Sequence, residues 1–421
     1  MLILLAILNA CDSLKLVTRF SCEIFGVLIA LVYLYTGING ISLVLGNMRT
    51  SFDGALLQFI IAIGTLYTAQ VLSHAKTWHI LSDTARSTIS DYGATVAIIM
   101  WSFVPAVTNY RLEDGSIPTL FVPLTFETSN GRPWFVDFTD IPVWGIFAAS
   151  VPGAIIAVLF FFDHNVSSLL AQEADLKLKK ASAFHLDFFV VGLSLVLTGL
   201  LGIPPTNGLI PQAPLHVKSL QEKRRIYIHD KPTEEYEVVG VHEQRVSNFL
   251  QSLLCGLVCF RPFSDVLREI PKAVLYGLFL FLGLSSFEDN EFAYRLGLLV
   301  MDPALRKMRV HPYEFVLHLK FASVCKFTLI QAVLCAAIFG ITFTPAAVVF
   351  PVLIALLVWL RIYLLPKLFT ALELRLLDSF ILKEAAAEGS RDGSDTDQVV
   401  EVGVMTCSED EPTPGEEANL A

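Results

Sequence analysis

Asp163 stands where a charge is costly. It follows twenty uncharged residues, in Phe160-Phe161-Phe162-Asp163-His164-Asn165. An acidic group near the centre of a spanning helix costs about 2.5–3.5 kcal/mol on insertion scales, and such a group by default marks a proton, cation or substrate-hydroxyl partner. The plain alternative is a helix-end carboxylate near the cytoplasmic interface. Ser167 follows at i+4 and shares its helix face. His164 has the chemistry to titrate near neutrality, although a histidine beside a carboxylate equally serves packing and hydrogen bonding. Asn165-Val166-Ser167 has the form of a glycosylation sequon, and its place in or beside a span argues against modification.

A second group lies in Pro204-Pro205-Thr206-Asn207-Gly208-Leu209-Ile210-Pro211-Gln212-Ala213-Pro214-Leu215-His216. Four prolines and a glycine within eleven residues forbid a continuous spanning helix. The segment is also too apolar for an ordinary loop. Irregular backbone at membrane depth survives only when buried in protein or lining a cavity, and a broken helix points to a transporter's binding site. A re-entrant kink serving packing alone is the bland reading. Thr206, Asn207 and Gln212 offer neutral hydrogen-bonding side chains around Gly208, near what would be a half-helix N-terminus that attracts anions. Asp163, Thr206, Asn207, Gly208 and Gln212 are therefore the candidate substrate-binding residues, with His164, Ser167 and His216 in support. His185 and Asp187 open the preceding span and read as capping or pairing groups.

The elements that must hold these residues are membrane spans. The chain has 421 residues, of which 54% are hydrophobic and 17% charged, and its mean hydropathy is +0.60. About 20 apolar residues in a row cross a bilayer. Such runs occur at Glu23–Leu45, Leu56–Leu72, Tyr92–Val107, Val143–Ala171, Leu186–Ile203, Val246–Phe260, Ala273–Phe287, Phe315–Ile341 and Pro345–Leu365, with a shorter one at Leu2–Ala10. Leu368–Ile381 alternates apolar and charged residues as an interfacial helix does. A soluble enzyme and a nucleic-acid reader are excluded on composition. His242-Glu243 lacks the second histidine of a metalloprotease, and no nucleophile elbow, phosphate-binding loop or dinucleotide fingerprint occurs. We read a non-enzyme that needs no cofactor and has no metal site. The seven cysteines form no CxxC pair and read as reduced thiols. Leu2–Ala10, without a basic flank, reads as a helix entered part-way rather than a signal peptide.

Charge gives the sidedness. One alternate set of loops, including Lys15, Lys76, Lys179, Arg225, Arg295 and Arg306, holds sixteen basic residues, and the opposite set, including Arg111, Arg132 and Arg268, holds six. By the positive-inside rule the first set is cytoplasmic, which puts Asn109–Asp140 outside. The net charge of −10 resides in Glu384–Ala421, with eleven acidic residues and one arginine. This tail reads as cytoplasmic, disordered and solvated.

Phe161 to Leu169, Lys179-Lys180, Phe184-His185-Leu186-Asp187 and Gly202–Leu220 together resemble the bicarbonate transporter and anion exchanger family. Within it they resemble most the borate transporter branch of fungi and plants, above all at Asn207–His216. Glu243–Asn248 and Ile270–Gly277 agree. The resemblance implies an all-α polytopic membrane protein, part of a seven-plus-seven inverted-repeat transporter whose core domain moves against a gate domain that also forms a homodimer. It implies that Asp163 falls where animal anion exchangers carry a glutamate, and Gln212 where they carry an arginine. A neutral amide there suits a polyhydroxylated ligand such as borate or boric acid. The implied divisions are an incomplete first repeat over 1–110, an extracellular loop over 111–141, a second inverted repeat over 142–382 containing the half-helix 204–220, and the tail over 383–421. The resemblance further implies that Leu2–Ala10 aligns with the family's fourth segment, so that three segments are absent, with truncation the favoured explanation. The implied function is export of borate or boric acid at the plasma membrane, in contact with lipid and without nucleic acid. The alternatives are exchange of bicarbonate or another small inorganic anion, and a non-transporting partner of an intact relative.

Overall fold

The protein is described from a computed structural model. It describes residues 1–46, 52–108, 117–123, 128, 131–139, 141–172, 176–208, 212–228, 231–288, 290–308, 313 and 315–378. The acidic tail, most of the 109–130 stretch and residues 209–211 of the broken segment lie outside the described residues.

The helices, in chain order, are α1 (Leu2–Ile7), α2 (Arg19–Gly46), α3 (Phe52–Ser73), α4 (Asp83–Thr108), α5 (Val143–Leu170), α6 (Phe184–Leu201) and α7 (Gln212–Ser219). Two strands follow, β1 (Gln221–Ile228) and β2 (Lys231–Val241). Then come α8 (Val246–Val258), α9 (Phe263–Arg268), α10 (Lys272–Glu288), α11 (Glu291–Val300), α12 (Pro303–Met308) and α13 (Phe315–His318). The last four are α14 (Phe321–Ile341), α15 (Phe350–Tyr363), α16 (Leu365–Leu368) and α17 (Ala371–Leu377).

Among the described residues, α2, α3, α4, α5, α6 and α14 are long and apolar enough to cross a membrane. Their outward faces remain apolar, with Phe147, Val151, Leu197 and Leu329 all exposed, as befits helices hydrophobic all round. Pro105 in α4 and Pro152 in α5 leave those helices unbroken. The chain is a mostly helical polytopic membrane protein.

The all-α expectation is corrected at one place. β1 and β2 form an antiparallel hairpin in which Gln221 pairs with Val241 and Arg224 with Glu237. This stretch was read only as a basic loop. Its β-branched and aromatic residues, Ile226-Tyr227-Ile228 and Tyr236 to Val241, suit a pleated ribbon. The expected interfacial helix over Leu368–Ile381 also differs. α17 is short and opened by a Thr370–Glu373 capping box, and it buries Leu374 and Leu377. It is held to the bundle by the next residue. The Asp378 carboxylate accepts the Phe20 N–H at 2.8 Å and the Arg361 Nε–H at 2.7 Å.

α2, α3 and α10 pack through small residues. A Cβ at Gly40 or Gly37 would collide with Tyr276 or Leu280 of α10, and one at Gly277 would collide with the Ala62 carbonyl of α3. Without a hydrophobic gain in lipid, such backbone approach is what holds spanning helices together. The polar loop before α5 ties down one side of the protein. Leu120 N–H donates to the Ile270 carbonyl at 3.0 Å, Lys272 N–H to Pro118 at 2.9 Å, and Val136 N–H to Leu200 at the end of α6 at 2.9 Å. At the other end of α10, Glu288 meets His74 beyond α3 at 3.4 Å. The loop and the His74 turn therefore lie at opposite ends of α10.

Arg295 is corrected outright. It was counted among loop cations, but it sits in α11 with none of its surface exposed. Its guanidinium bonds Glu23 of α2, Glu291 at 3.2 Å and the Gln331 side-chain oxygen of α14 at 3.0 Å. The Gln331 amide in turn donates to Glu23 at 2.9 Å, and Arg19 bonds Glu291 from outside. Phe315 and Phe327 face the guanidinium, at 5.5 and 5.3 Å from their centroids. Removing one member of a buried pair strands the other, at about 3–5 kcal/mol. Arg295→Met should therefore lower the unfolding midpoint in detergent sharply, and Glu23→Gln/Arg295→Met should recover much of the loss. Equal destabilisation by the single and double variants would show that the pairing is not its source.

Candidate functional site at the break between α6 and α7

α5 runs unbroken past Asp163, about 30 Å along from its start at Val143, and buries Asp163 and Ser167 on one face. α6 stops at Leu201 because Gly202 adopts the left-handed conformation, with φ +58°, a position glycine occupies without steric cost. Arg132 closes this end, donating to the Leu201 carbonyl at 3.2 Å and the Gly202 carbonyl at 2.5 Å, where the helix dipole favours a cation. The chain then runs without helix through residues 203–208 and resumes as α7 at Gln212.

The break is folded back onto α5. The Asn207 Nδ2 donates to the Asp163 Oδ2 at 2.8 Å. Asp163 itself is 8% exposed, and among the described residues it pairs with no lysine or arginine. Gly208 runs past the His164 ring, where an added Cβ would stand 3.4 Å from Nδ1. The ring stacks on Phe188 of α6, with centroids 6.1 Å apart. Among the described residues, neither His164 nitrogen, nor the Ser167 hydroxyl one turn beyond Asp163, has a hydrogen-bond partner. Asn165 turns away and donates to the Phe161 carbonyl at 2.7 Å.

Gln212, at the start of α7, and Asp163 are both neighbours of the Tyr33 phenol of α2. Tyr33 is held flat against Phe279 of α10, with centroids 6.0 Å apart and planes at 13°. The structure thus brings Asp163, Asn207, Gly208, Gln212 and His164 together and adds Tyr33. Thr206 is exposed. His216 points elsewhere, with its Nε2 3.3 Å from the Ser247 hydroxyl. Tyr33 escaped sequence reasoning because it stands inside the apolar run of α2 with no charge beside it. Its one signal is a polar tip within a span. His185 pairs with Asp12 at 3.8 Å, as an end-of-span residue.

This set offers an acceptor-only carboxylate, two amides that donate and accept, and a phenol that does both. No group of three or more His, Cys, Asp or Glu suited to a metal occurs among the described residues.

Residues 39–381 match the family described as the HCO3− transporter integral membrane domain. The chain belongs to the bicarbonate transporter family. It is 31% identical to Probable boron transporter 3 of Arabidopsis thaliana over 92% of this chain and 64% of that protein. It is 34% identical to Boron transporter 1 of Saccharomyces cerevisiae over 94% of this chain and 68% of that protein. Similarity extends to the Band 3 anion transport protein of Gallus gallus, at 29% over 90% of this chain and 42% of that protein. The chain therefore spans just under two thirds of the first relative. The matched region contains the whole α5–α7 site, so the site lies in the membrane domain that defines the bicarbonate transporter family.

The carboxylate is the group whose loss the site should feel most. Asp163→Asn keeps the shape and a carbonyl that can accept from Asn207, yet removes the charge. It should leave membrane abundance near wild type and abolish transport. Transport undiminished in that variant, with abundance measured alongside, would make Asp163 a structural residue.

Proposed function

We propose that the protein is a borate transporter that moves boric acid or borate out of the cell across the plasma membrane. The observation that carries the reading is Asp163, hydrogen-bonded to Asn207 of the broken segment and without a cationic partner among the described residues. A small anion held beside that carboxylate meets a repulsion of roughly 4 kcal/mol for charges about 4 Å apart at an effective dielectric constant of about 20. A ligand made of hydroxyl groups meets donors and acceptors instead. The names of the plant and yeast relatives agree with this cargo.

Transport needs no covalent step and no cofactor. The packing supports a movement of two bodies. α2, α3, α4 and α10 are interlocked through glycines, whereas Asp163, Asn207 and Gln212 belong to α5 and the break before α7. In the proposed cycle the α5–α7 body slides as an elevator against the α2–α10 body, and the latter pairs with a second copy in a homodimer. A second reading, exchange of bicarbonate or another small inorganic anion, is favoured by the likeness to Band 3.

Boron retained by cells that lack their own exporter, with bicarbonate flux measured in parallel vesicles, separates the two. Expression of the full-length protein should lower cell boron, and unchanged boron at normal surface abundance would sink the borate reading. Gln212→Arg places a fixed cation opposite Asp163. It should weaken boron transport and raise bicarbonate flux.

A further inference from the structure

The end of α6 is closed from outside the helix. A helix leaves its last four carbonyls without partners of its own. Here the chain just beyond takes two, the Gly202 N–H donating to Gly199 at 3.1 Å and the Ile203 N–H to Thr198 at 2.8 Å. The next three go to the loop before α5. The Val136 N–H donates to the Leu200 carbonyl at 2.9 Å, and the Arg132 guanidinium donates to those of Leu201 and Gly202. A Cβ at residue 202 would collide with that guanidinium. Glycine there serves the left-handed turn and makes room for the arginine.

Arg132 is itself held in place. Its carbonyl accepts the Thr128 hydroxyl at 2.6 Å, and the Gly131 N–H donates to the Thr128 carbonyl at 3.0 Å. Earlier in the loop, Pro118 and Leu120 bond the α9–α10 junction, and the Arg268 side chain donates to the Val122 carbonyl at 3.0 Å. The loop therefore has an anchorage independent of α6. The ten steps of chain from Val122 to Arg132, at up to about 3.5 Å each, reach about 35 Å. That length lets the clamp stay closed on α6 while the two bodies move.

What the clamp fixes is passed on to the site. From Gly202 the chain reaches Asn207 in five residues, two of them Pro204 and Pro205, whose rings lock φ. Proline-rich chain is a semi-rigid spacer, so a shift at Gly202 is transmitted to Asn207 rather than absorbed. Asn207 is the residue that bonds Asp163 at 2.8 Å. We infer that Arg132 is a positioning residue of the transport site. Without reaching the ligand, it fixes the origin of the broken segment and so the placing of Asn207 against Asp163. The inference rests on the reading of the α5–α7 break as the site of transport and adds a residue from outside it.

The test takes Arg132→Ala in proteoliposomes and measures boron and bicarbonate flux, each as KM and Vmax, beside amide hydrogen exchange. Exchange over residues 203–208 should quicken about three- to tenfold while the α10 amides stay as in wild type. KM for the transported species should rise about three- to tenfold, the worth of one loosened hydrogen bond, with Vmax and abundance little changed. Should that variant fail to reach the membrane, Thr128→Val removes the hydroxyl that holds Arg132 and should move KM and exchange the same way by a smaller factor. An unchanged KM, a loss confined to Vmax, or exchange quickened equally in α10 overturns the positioning role and leaves the transport reading standing. Wild type that moves neither boron nor bicarbonate overturns the underlying reading instead.

Discussion

A guanidinium with none of its surface exposed has to be neutralised where it stands, and Arg295 dictates much of the arrangement around it. Burying an ion costs several kcal/mol even after relaxation, repaid only by well-placed partners. Glu23, Glu291 and Gln331 supply them from α2, α11 and α14, and two phenyl rings fill the remaining directions. The neutralisation is incomplete. Among the described residues, one Glu23 oxygen and the Arg295 Nε stay without partners, and each such group costs about 1–3 kcal/mol. The cluster therefore works less as a source of stability than as a constraint on which helices meet. It sets the rotation of α2, because Glu23 must face the guanidinium. Ten residues later, about 15 Å along the same helix, the same rotation delivers Tyr33 to Gln212 and Asp163.

The site itself is made by stopping a helix. The left-handed Gly202 ends α6, Arg132 satisfies its last carbonyls, and prolines prevent the helix from resuming at once. A backbone freed from its own hydrogen bonds at membrane depth must be held by protein, and the Asn207–Asp163 bond is part of that holding. The contact that secures the break is thus also the one that fixes the Asp163 carboxylate. The irregular segment cannot drift without breaking the Asn207–Asp163 bond.

The bundle divides by the way its helices touch. α2, α3 and α10 approach through glycines that leave no room even for a methyl group, which locks them in register.

Much of this was legible in the residues alone. Apolar runs placed the six long spans, because lipid demands an unbroken apolar helix of a set length. Four prolines announced the break, and an acidic residue after twenty uncharged ones announced Asp163. Side-chain pairing was not legible, nor was the hairpin, where alternating charge masked a strand pattern. Arg295 read as a loop cation because its position along the chain says nothing of the acid, 272 residues away, that makes its burial tolerable. Tyr33 read as one more aromatic residue of a span, and His216 as a site residue although α7 turns it towards Ser247. Composition and periodicity are properties of neighbours in the chain, and they determined which segments cross the membrane and where one must break. Which polar groups face one another depends on the rotation and register of each helix against the others. Those are set by glycine contacts and buried charges that only the packed bundle brings together.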